Sequence, residues 1–370
     1  MDQKELIREA GLSMGLHDLR FTTAEPLAGT AGIMRDRVTR GLRPPERAWR
    51  DAELELGCNP GSFLDGARSV IVAALCYKTE EDDGELSGAL CGEVAPHARR
   101  NYYRILKKIL KKLAGQIRQI AGRGRFFSSS NGLIREKPLA MRSGLGFYGR
   151  HGIIVSPRWG SMTALGTIVT DLELSPDLPC QDACSSCEAC IKKCPAAAIP
   201  EPGVIDERRC LQSLSQVVSM PPELREIWGT RLYGCAECHV NCPRNVNVPT
   251  VKPLSDQGRA GAMVPLIPVL GKSDGEIREM FRGNQMGANW LPPAALRKNA
   301  CLALGNHRDP AAQDALYQAL VSEPDMLGEY AAWALWRIGG ASSRNLLEKA
   351  LAGIARDEAR VHIAGYLERF

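Results

Sequence analysis

The sequence predicts an α+β protein of 370 residues, and three observations predict it. Apolar runs of strand length alternate with helical patterns in the first half. Eight of the thirteen cysteines crowd between Cys184 and Cys242. The last stretch repeats a helical motif. We read residues 1–175 as an α/β domain, 176–250 as a loop-rich cysteine module, 251–292 as a connector and 293–370 as an α-helical repeat.

Residues 1–57 read as helical and mixed, with a loop near Pro26–Gly32. Ser69–Tyr77 is a continuous apolar run and predicts a buried strand. Residues 78–96 are acidic and contain Gly, so they read as a loop. Arg100–Gly122 sets Tyr102, Leu106, Ile109, Leu113, Ile117 and Ile120 at helical spacing, with basic residues on the other face. From Arg99 to Arg125 there are ten Lys or Arg and no Asp or Glu. That stretch suits a polyanion or, more simply, a solvated helix face. Gly152–Ser156 and Met162–Thr170 read as strands joined by a turn at Pro157 and Gly160. A short helix is expected near Asp274–Arg282. Asn299–Gly305 is echoed 31 residues later by Tyr330–Trp336, with Ala300, Ala303 and Leu304 matched by Ala331, Ala334 and Leu335. Two or three helix pairs of the HEAT type fit this tail.

Composition is that of a globular protein, 44% hydrophobic and 24% charged with a net charge of +5. No apolar run approaches the ~20 residues that span a bilayer, so no membrane association is expected. Met1–Leu12 is charged and amphipathic, unlike a secretory signal. Thirteen thiols without such a signal imply a reducing, cytoplasmic setting.

The cysteines form two interlocking sets. One is Cys184-x2-Cys187-x2-Cys190-x3-Cys194-Pro195; the other is Cys210, then Cys235-x2-Cys238-x3-Cys242-Pro243. A C-x2-C-x2-C-x3-C-P run is the bacterial ferredoxin signature, whose fourth Cys serves the other cluster. This assigns one [4Fe-4S] cluster to Cys184, Cys187, Cys190 and Cys242, and a second to Cys194, Cys210, Cys235 and Cys238. The fold expected at 176–250 is thus a ferredoxin-like double [4Fe-4S] module. Structural zinc is the weaker alternative, because it leaves both C-x3-C-P tails unexplained. Cys58, Cys76, Cys91, Cys180 and Cys301 read as buried or incidental.

Gly144-Leu-Gly146-Phe-Tyr-Gly149 matches G-x-G-x-x-G, but a dinucleotide site needs a strand before it and a helix after it. Here Gly152–Val155 reads as a strand, so the glycines point to close backbone packing instead.

Beyond the cysteines, several segments resemble epoxyqueuosine reductases. They are Ala67–Ile71, Glu136–Gly149, Gly160-Ser161, Leu165-Gly166, Arg208–Cys210, Leu232–Cys235 and Lys298–Asn306. The resemblance covers nearly the whole chain, the tail included. It implies a reductase that converts epoxyqueuosine to queuosine in tRNA, using two [4Fe-4S] clusters and base-off cobalamin. It implies an α/β cobalamin-binding domain whose Arg150, His151, Ile154, Ser161 and Leu165 line the corrinoid. A low-potential donor of the ferredoxin or flavodoxin type would supply electrons to a monomer. Helix 99–125 and Arg297, Lys298 and His307 would hold tRNA phosphates.

Two departures stand out. The family's proton-donating Asp falls on Ser130, and the Pro that follows it falls on Leu133. The family's Asp-Tyr-His appears as Asn101-Tyr102-Tyr103. A serine hydroxyl is a poor general acid, which leaves Tyr102 and Tyr103 as candidate donors. Two alternatives therefore stay open: a paralogue that reduces a non-tRNA substrate by dehalogenase-like chemistry, and a non-catalytic corrinoid or electron-transfer protein.

Overall fold

The structure, a computed structural model, describes residues 2–80, 90–354 and 357–370. Its strands are β1 (Asp18–Thr23), β2 (Ser69–Cys76), β3 (Cys91–Val94), β4 (Phe126–Ser129), β5 (Phe147–Tyr148), β6 (Ile154–Val155), β7 (Thr163–Thr170), β8 (Arg231–Tyr233) and β9 (Met263–Pro265). Its α-helices are α1 (Gln3–Ser13), α2 (Thr30–Thr39), α3 (Asp51–Cys58), α4 (Tyr102–Ala121), α5 (Glu136–Arg142), α6 (Ala189–Lys192), α7 (Leu211–Leu214), α8 (Glu237–Val240), α9 (Leu266–Gly271), α10 (Asp274–Met280), α11 (Pro293–His307), α12 (Gln313–Ser322), α13 (Pro324–Ile338), α14 (Gly340–Gly353) and α15 (Asp357–Leu367). The chain folds into two compact units, each assembled from separate segments. The first takes residues 2–80, 102–208 and 237–255. The second takes the described residues among 81–101, 209–236 and 256–370.

The first unit is built on a four-stranded sheet of order β1-β2-β7-β4, antiparallel at every pairing. This corrects the α/β expectation. Without parallel neighbours the sheet needs no crossover helices, and the unit is α+β. Central β2 is buried at all of its positions, which is why it reads as an unbroken apolar run. Its alternate side chains feed two cores. Ile71, Ala73 and Leu75 pack with Ile7, Leu106, Leu110 and Leu113 from α1 and α4. Val70, Val72 and Ala74 pack with Leu139, Leu145 and Ile154 on the opposite face.

Helix α4 buries Tyr102, Ile105, Leu106, Leu110, Leu113 and Ile117. Each large apolar side chain contributes about 1.5–3 kcal/mol, which fixes the helix on the sheet. Gly166 of β7 permits the close approach, since a Cβ there would stand 2.6 Å from Leu110 Cδ1 and 3.1 Å from the Ser129 carbonyl.

The Gly144–Gly149 motif leads into the β5–β6 hairpin and not into a helix. A Cβ on Gly144 would lie 2.0 Å from the Leu178 carbonyl oxygen, and one on Gly146 would lie 2.3 Å from that of Val155. The glycines serve backbone contact. The strand expected at Gly152–Ser156 shortens to β6, and β6 and β7 belong to different sheets. Residues 81–89 of the expected acidic loop lie outside the described residues.

The second unit holds the three-stranded sheet β8-β3-β9. Helix α11 packs on α13, and α13 packs on α12 and α15. The matched small residues Ala300, Ala303, Ala331 and Ala334 are all fully buried, so the repeated motif marks helix contact. Among the described residues no helix is long and apolar enough to cross a membrane.

Candidate cofactor and active site

Three stretches of the first unit converge around Ser161. Its N–H donates to Asn245 Oδ1 at 2.8 Å. Asn245 Nδ2 donates to Ser161 Oγ at 2.9 Å and to the His239 carbonyl at 2.7 Å. Gly160 is required beside it: a Cβ would fall 1.9 Å from Asn245 Oδ1, at a φ of +57°. Ser161 Oγ also lies 3.2 Å from His239 Nδ1. The His239 ring in turn stacks on His151, with 5.4 Å between centroids and 6° between planes.

His151 is 2% exposed. Its Nδ1 accepts the Ile153 N–H at 3.2 Å, so the ring proton of the neutral imidazole belongs on Nε2. That Nε2 meets no hydrogen-bond partner among the described residues. Burial, assisted by the charge of Lys137, pulls the imidazole down to about 4. An unsatisfied buried donor costs about 1–3 kcal/mol, so this N–H fits a site that takes an acceptor from a bound group. Ile154 and Leu165 belong to the apolar core, and Arg150 Nη1 donates to the Ser185 carbonyl at 3.1 Å.

The loop after β4 carries Ser130. Its hydroxyl donates to the Leu165 carbonyl at 2.8 Å. Tyr102 is buried, and its hydroxyl lies 3.3 Å from Thr79 Oγ1. Tyr103 is pushed up to about 12, by burial and then by the Glu136 charge. A phenol held there keeps its proton and gives it up reluctantly. Sequence reasoning passed over Glu136 itself, whose Oε1 accepts the Asn131 N–H at 2.6 Å. Its signal was available: it is the carboxyl six residues past the missing Asp.

Cys184, Cys187, Cys190 and Cys242 all lie in the first unit, and the structure brings them together. Cys190 sits on α6 and Cys242 follows α8, and the two helices pack on each other. Burial raises the Cys190 thiol, and Cys242 and Cys184 raise it further. Burial likewise raises Cys242, with added effect from Cys184 and Cys187. Among the described residues no three His, Cys, Asp or Glu groups crowd close enough for a single ion; a cubane instead offers each thiolate its own iron. Arg244 ties the ends of the set together. Its guanidinium forks onto both Asp182 oxygens, at 2.8 and 2.7 Å, and reaches the Ala183 carbonyl at 3.0 Å. The clamp joins the residue two beyond Cys242 to the segment just before Cys184.

Of the second set, Cys194 and Cys238 lie in the first unit and Cys210 and Cys235 in the second. The Cys194 sulfur accepts the Ala198 N–H at 3.2 Å. Cys58, Cys76, Cys91 and Cys301 are buried, and burial raises every one of these thiols, Cys301 to about 12. They are packing residues, and Cys180 is half-exposed.

A family described as a 4Fe-4S double cluster binding domain matches residues 183–245, which hold all eight cysteines of the two sets. A second, described as "Epoxyqueuosine reductase QueG, DUF1730", matches residues 58–130. The epoxyqueuosine reductase of Bacillus anthracis is 30% identical, with 95% of this chain and 92% of the relative covered. That of Francisella cf. novicida is 33% identical over 75% of this chain and 80% of the relative. The chain belongs to the epoxyqueuosine reductase family. An epoxyqueuosine reductase solved with an epoxyqueuosine-modified tRNA-Tyr stem loop superposes with a TM-score of 0.86 at 27% identity, covering 99% of this chain and 98% of that one. Another, from Bacillus subtilis, has a TM-score of 0.85 at 28% identity over 99% and 98%. It is described with its catalytic Asp loop swung out of the active site. As a member of this family the protein is an oxidoreductase with a double [4Fe-4S] domain.

Three residues expected at tRNA phosphates are corrected. Arg297 is 3% exposed and pairs with Asp274 and Glu323, and it donates to the Lys272 carbonyl. Lys298 is fully buried, donates to the Leu214 carbonyl at 2.9 Å and is pulled down to about 7 by burial. His307 Nε2 bonds the Cys91 carbonyl at 2.8 Å. For Arg297 and Lys298 the reason is that α11 is buried all round from Pro293 to Gly305, so both serve the interior of their own unit; His307, half-buried just past that stretch, is tied to a backbone carbonyl.

Proposed function

We propose that the protein reduces epoxyqueuosine to queuosine in tRNA, with two [4Fe-4S] clusters and cobalamin as its redox groups. The observation that carries this reading is the match, over 99% of this chain, to the reductase solved with an epoxyqueuosine-modified stem loop. Cobalamin, when bound, supplies a strongly nucleophilic, low-potential metal centre for opening an epoxide.

The chain's own residues do the rest. The buried His151 Nε2–H, which meets no partner among the described residues, would donate to a bound cobalamin. Asn245 locks Ser161, and through it His239, in one orientation. Ile154 and Leu165 belong to the apolar core beneath β6 and β7, which keeps water out. Cys184, Cys187, Cys190 and Cys242 hold one cubane; Cys194, Cys210, Cys235 and Cys238 hold the other. By likeness to the Bacillus subtilis relative, the loop bearing Ser130 is the catalytic loop. Exposed Arg104, Lys107, Lys108, Lys111, Lys112 and Arg118 of α4 face the tRNA backbone. Helices α11–α15 read as a HEAT-like array, and a ferredoxin or flavodoxin delivers the electrons.

The test is anaerobic reconstitution followed by turnover of an epoxyqueuosine stem loop. About eight irons and one cobalt per chain are expected, given four irons in each cubane. Loss of epoxyqueuosine from the stem loop supports the reading. A loaded protein that leaves it intact overturns the tRNA substrate and favours the paralogue reading.

A further inference from the structure

We propose that Glu136 is the proton donor of this protein, filling the role for which Ser130 has no acid to offer. The inference rests on the epoxide-reductase reading above. It starts from the catalytic loop: the Ser130 hydroxyl proton is already committed to the Leu165 carbonyl at 2.8 Å.

The carboxyl of Glu136 folds back onto the same loop. Its Oε1 takes the Asn131 N–H at 2.6 Å, one residue from Ser130, and it also receives the Gly132 N–H. Asn131 holds a left-handed φ of +53°, a conformation that aims its N–H at the carboxyl and is tolerated by Asn. Glu136 also keeps part of its surface accessible, as a group that must recover its proton from water requires.

The surroundings suit an acid. The ionisable groups facing Glu136 are Tyr103 from α4 and the flanking Lys137 and Arg135. Burial outweighs the loop N–H groups and both cations, and it pushes the carboxyl up to about 8. It therefore holds its proton at neutral pH, where an ordinary carboxyl has lost it. Lys137 connects this corner to the histidine pair: its Nζ donates to the Gly152 carbonyl at 3.0 Å, and its charge acts on His151. Tyr103 sits far higher on the acidity scale and is the poorer donor.

The chemistry balances. Turning an epoxide into an alkene takes two electrons and two protons and releases water. The electrons come singly from a reduced low-potential donor, which is oxidised twice. As the first C–O bond opens, the Glu136 O–H bond breaks and an O–H bond forms on the former epoxide oxygen. Water re-protonates the carboxylate. Re-protonated in this way, Glu136 gives the second proton to the same oxygen, which leaves as water when the second C–O bond breaks and the double bond forms.

Two measurements test this. The first is an infrared titration of the protein without cofactors. A protonated-carboxyl band should vanish with a midpoint near 8 and be missing from Glu136→Gln. A midpoint in the ordinary carboxylate range overturns the proposal. The second is turnover of an epoxyqueuosine stem loop with a low-potential chemical reductant. Glu136→Gln keeps the acceptor for the Asn131 N–H but has no proton to give. It should lose at least about 100-fold in rate, with cobalamin and tRNA binding unchanged. Ser130→Asp in that background should recover much of that loss, by up to about 100-fold, the low end of the range for acid catalysis. Active wild type with an equally active Glu136→Gln overturns only the assignment of Glu136. Wild type that reduces no epoxyqueuosine overturns the substrate reading and the assignment with it.

Discussion

Single atoms decide most of what the first unit offers. Among the described residues the buried His151 Nε2–H meets no acceptor, which fits the proposed cobalamin site. His151→Phe should therefore weaken cobalamin binding by about ten-fold or more, since a lost buried hydrogen bond is worth ~1–3 kcal/mol. Phe also removes the acceptor of the Ile153 N–H, which offsets the relief of the buried donor, so the melting temperature of the protein without cofactor should change little. An absorption titration and a thermal melt check both halves. The Arg244 fork on Asp182 gives a second prediction. Both side chains are part-exposed, so the pair adds little to stability, roughly 0–1 kcal/mol; its value lies in holding Cys242 near Cys184. Arg244→Ala should fold, yet reconstitute with about four irons per chain in place of eight, as read by iron analysis.

Helices carry the next level. Helix α4 reads correctly from its spacing, because its apolar positions recur on one face and its basic ones on the other. Leu110 is fully buried against β7, and Leu110→Ala should cost ~2–5 kcal/mol by transfer and cavity, measured by denaturant unfolding. On the exposed face, Lys107→Ala with Lys111→Ala should leave stability unchanged. The pair should lower the salt slope of tRNA binding by roughly 1.4–1.8, because each phosphate that a lysine neutralises releases its own counterion. Helix α11 misleads for the opposite reason. It is buried on every side, so no polar face betrays its orientation, and Arg297 and Lys298 look like surface cations until their carbonyl and carboxylate partners appear. Lys298 has a pH signature. Its folded value lies near 7 against an ordinary 10.5, so between those values the unfolded chain binds the extra proton. Stability should rise with pH across that window, and Lys298→Met should flatten the rise in urea-unfolding series.

At the scale of the molecule, each unit is stitched from segments far apart in sequence. In the second, Lys298 and Asn299 of α11 donate to the Leu214 and Ser215 carbonyls, and His307 bonds the Cys91 carbonyl. A fragment ending at residue 292 should therefore lose the core around 209–236 and become protease-sensitive there, as limited proteolysis with mass mapping would show.

The sequence by itself determined the cysteine sets, the central strand Ser69–Cys76, the α4 face, the rejection of a dinucleotide loop at Gly144–Gly149 and the family. These are local signals: ligand spacing, period and glycine placement are written along the chain. Tertiary structure alone decided that the sheet is antiparallel, that Arg297 and Lys298 are interior residues, and that burial raises the Glu136 carboxyl. Strand direction, burial of a cation and the pKa of a carboxyl depend on neighbours brought in from distant segments, and no window of sequence contains them.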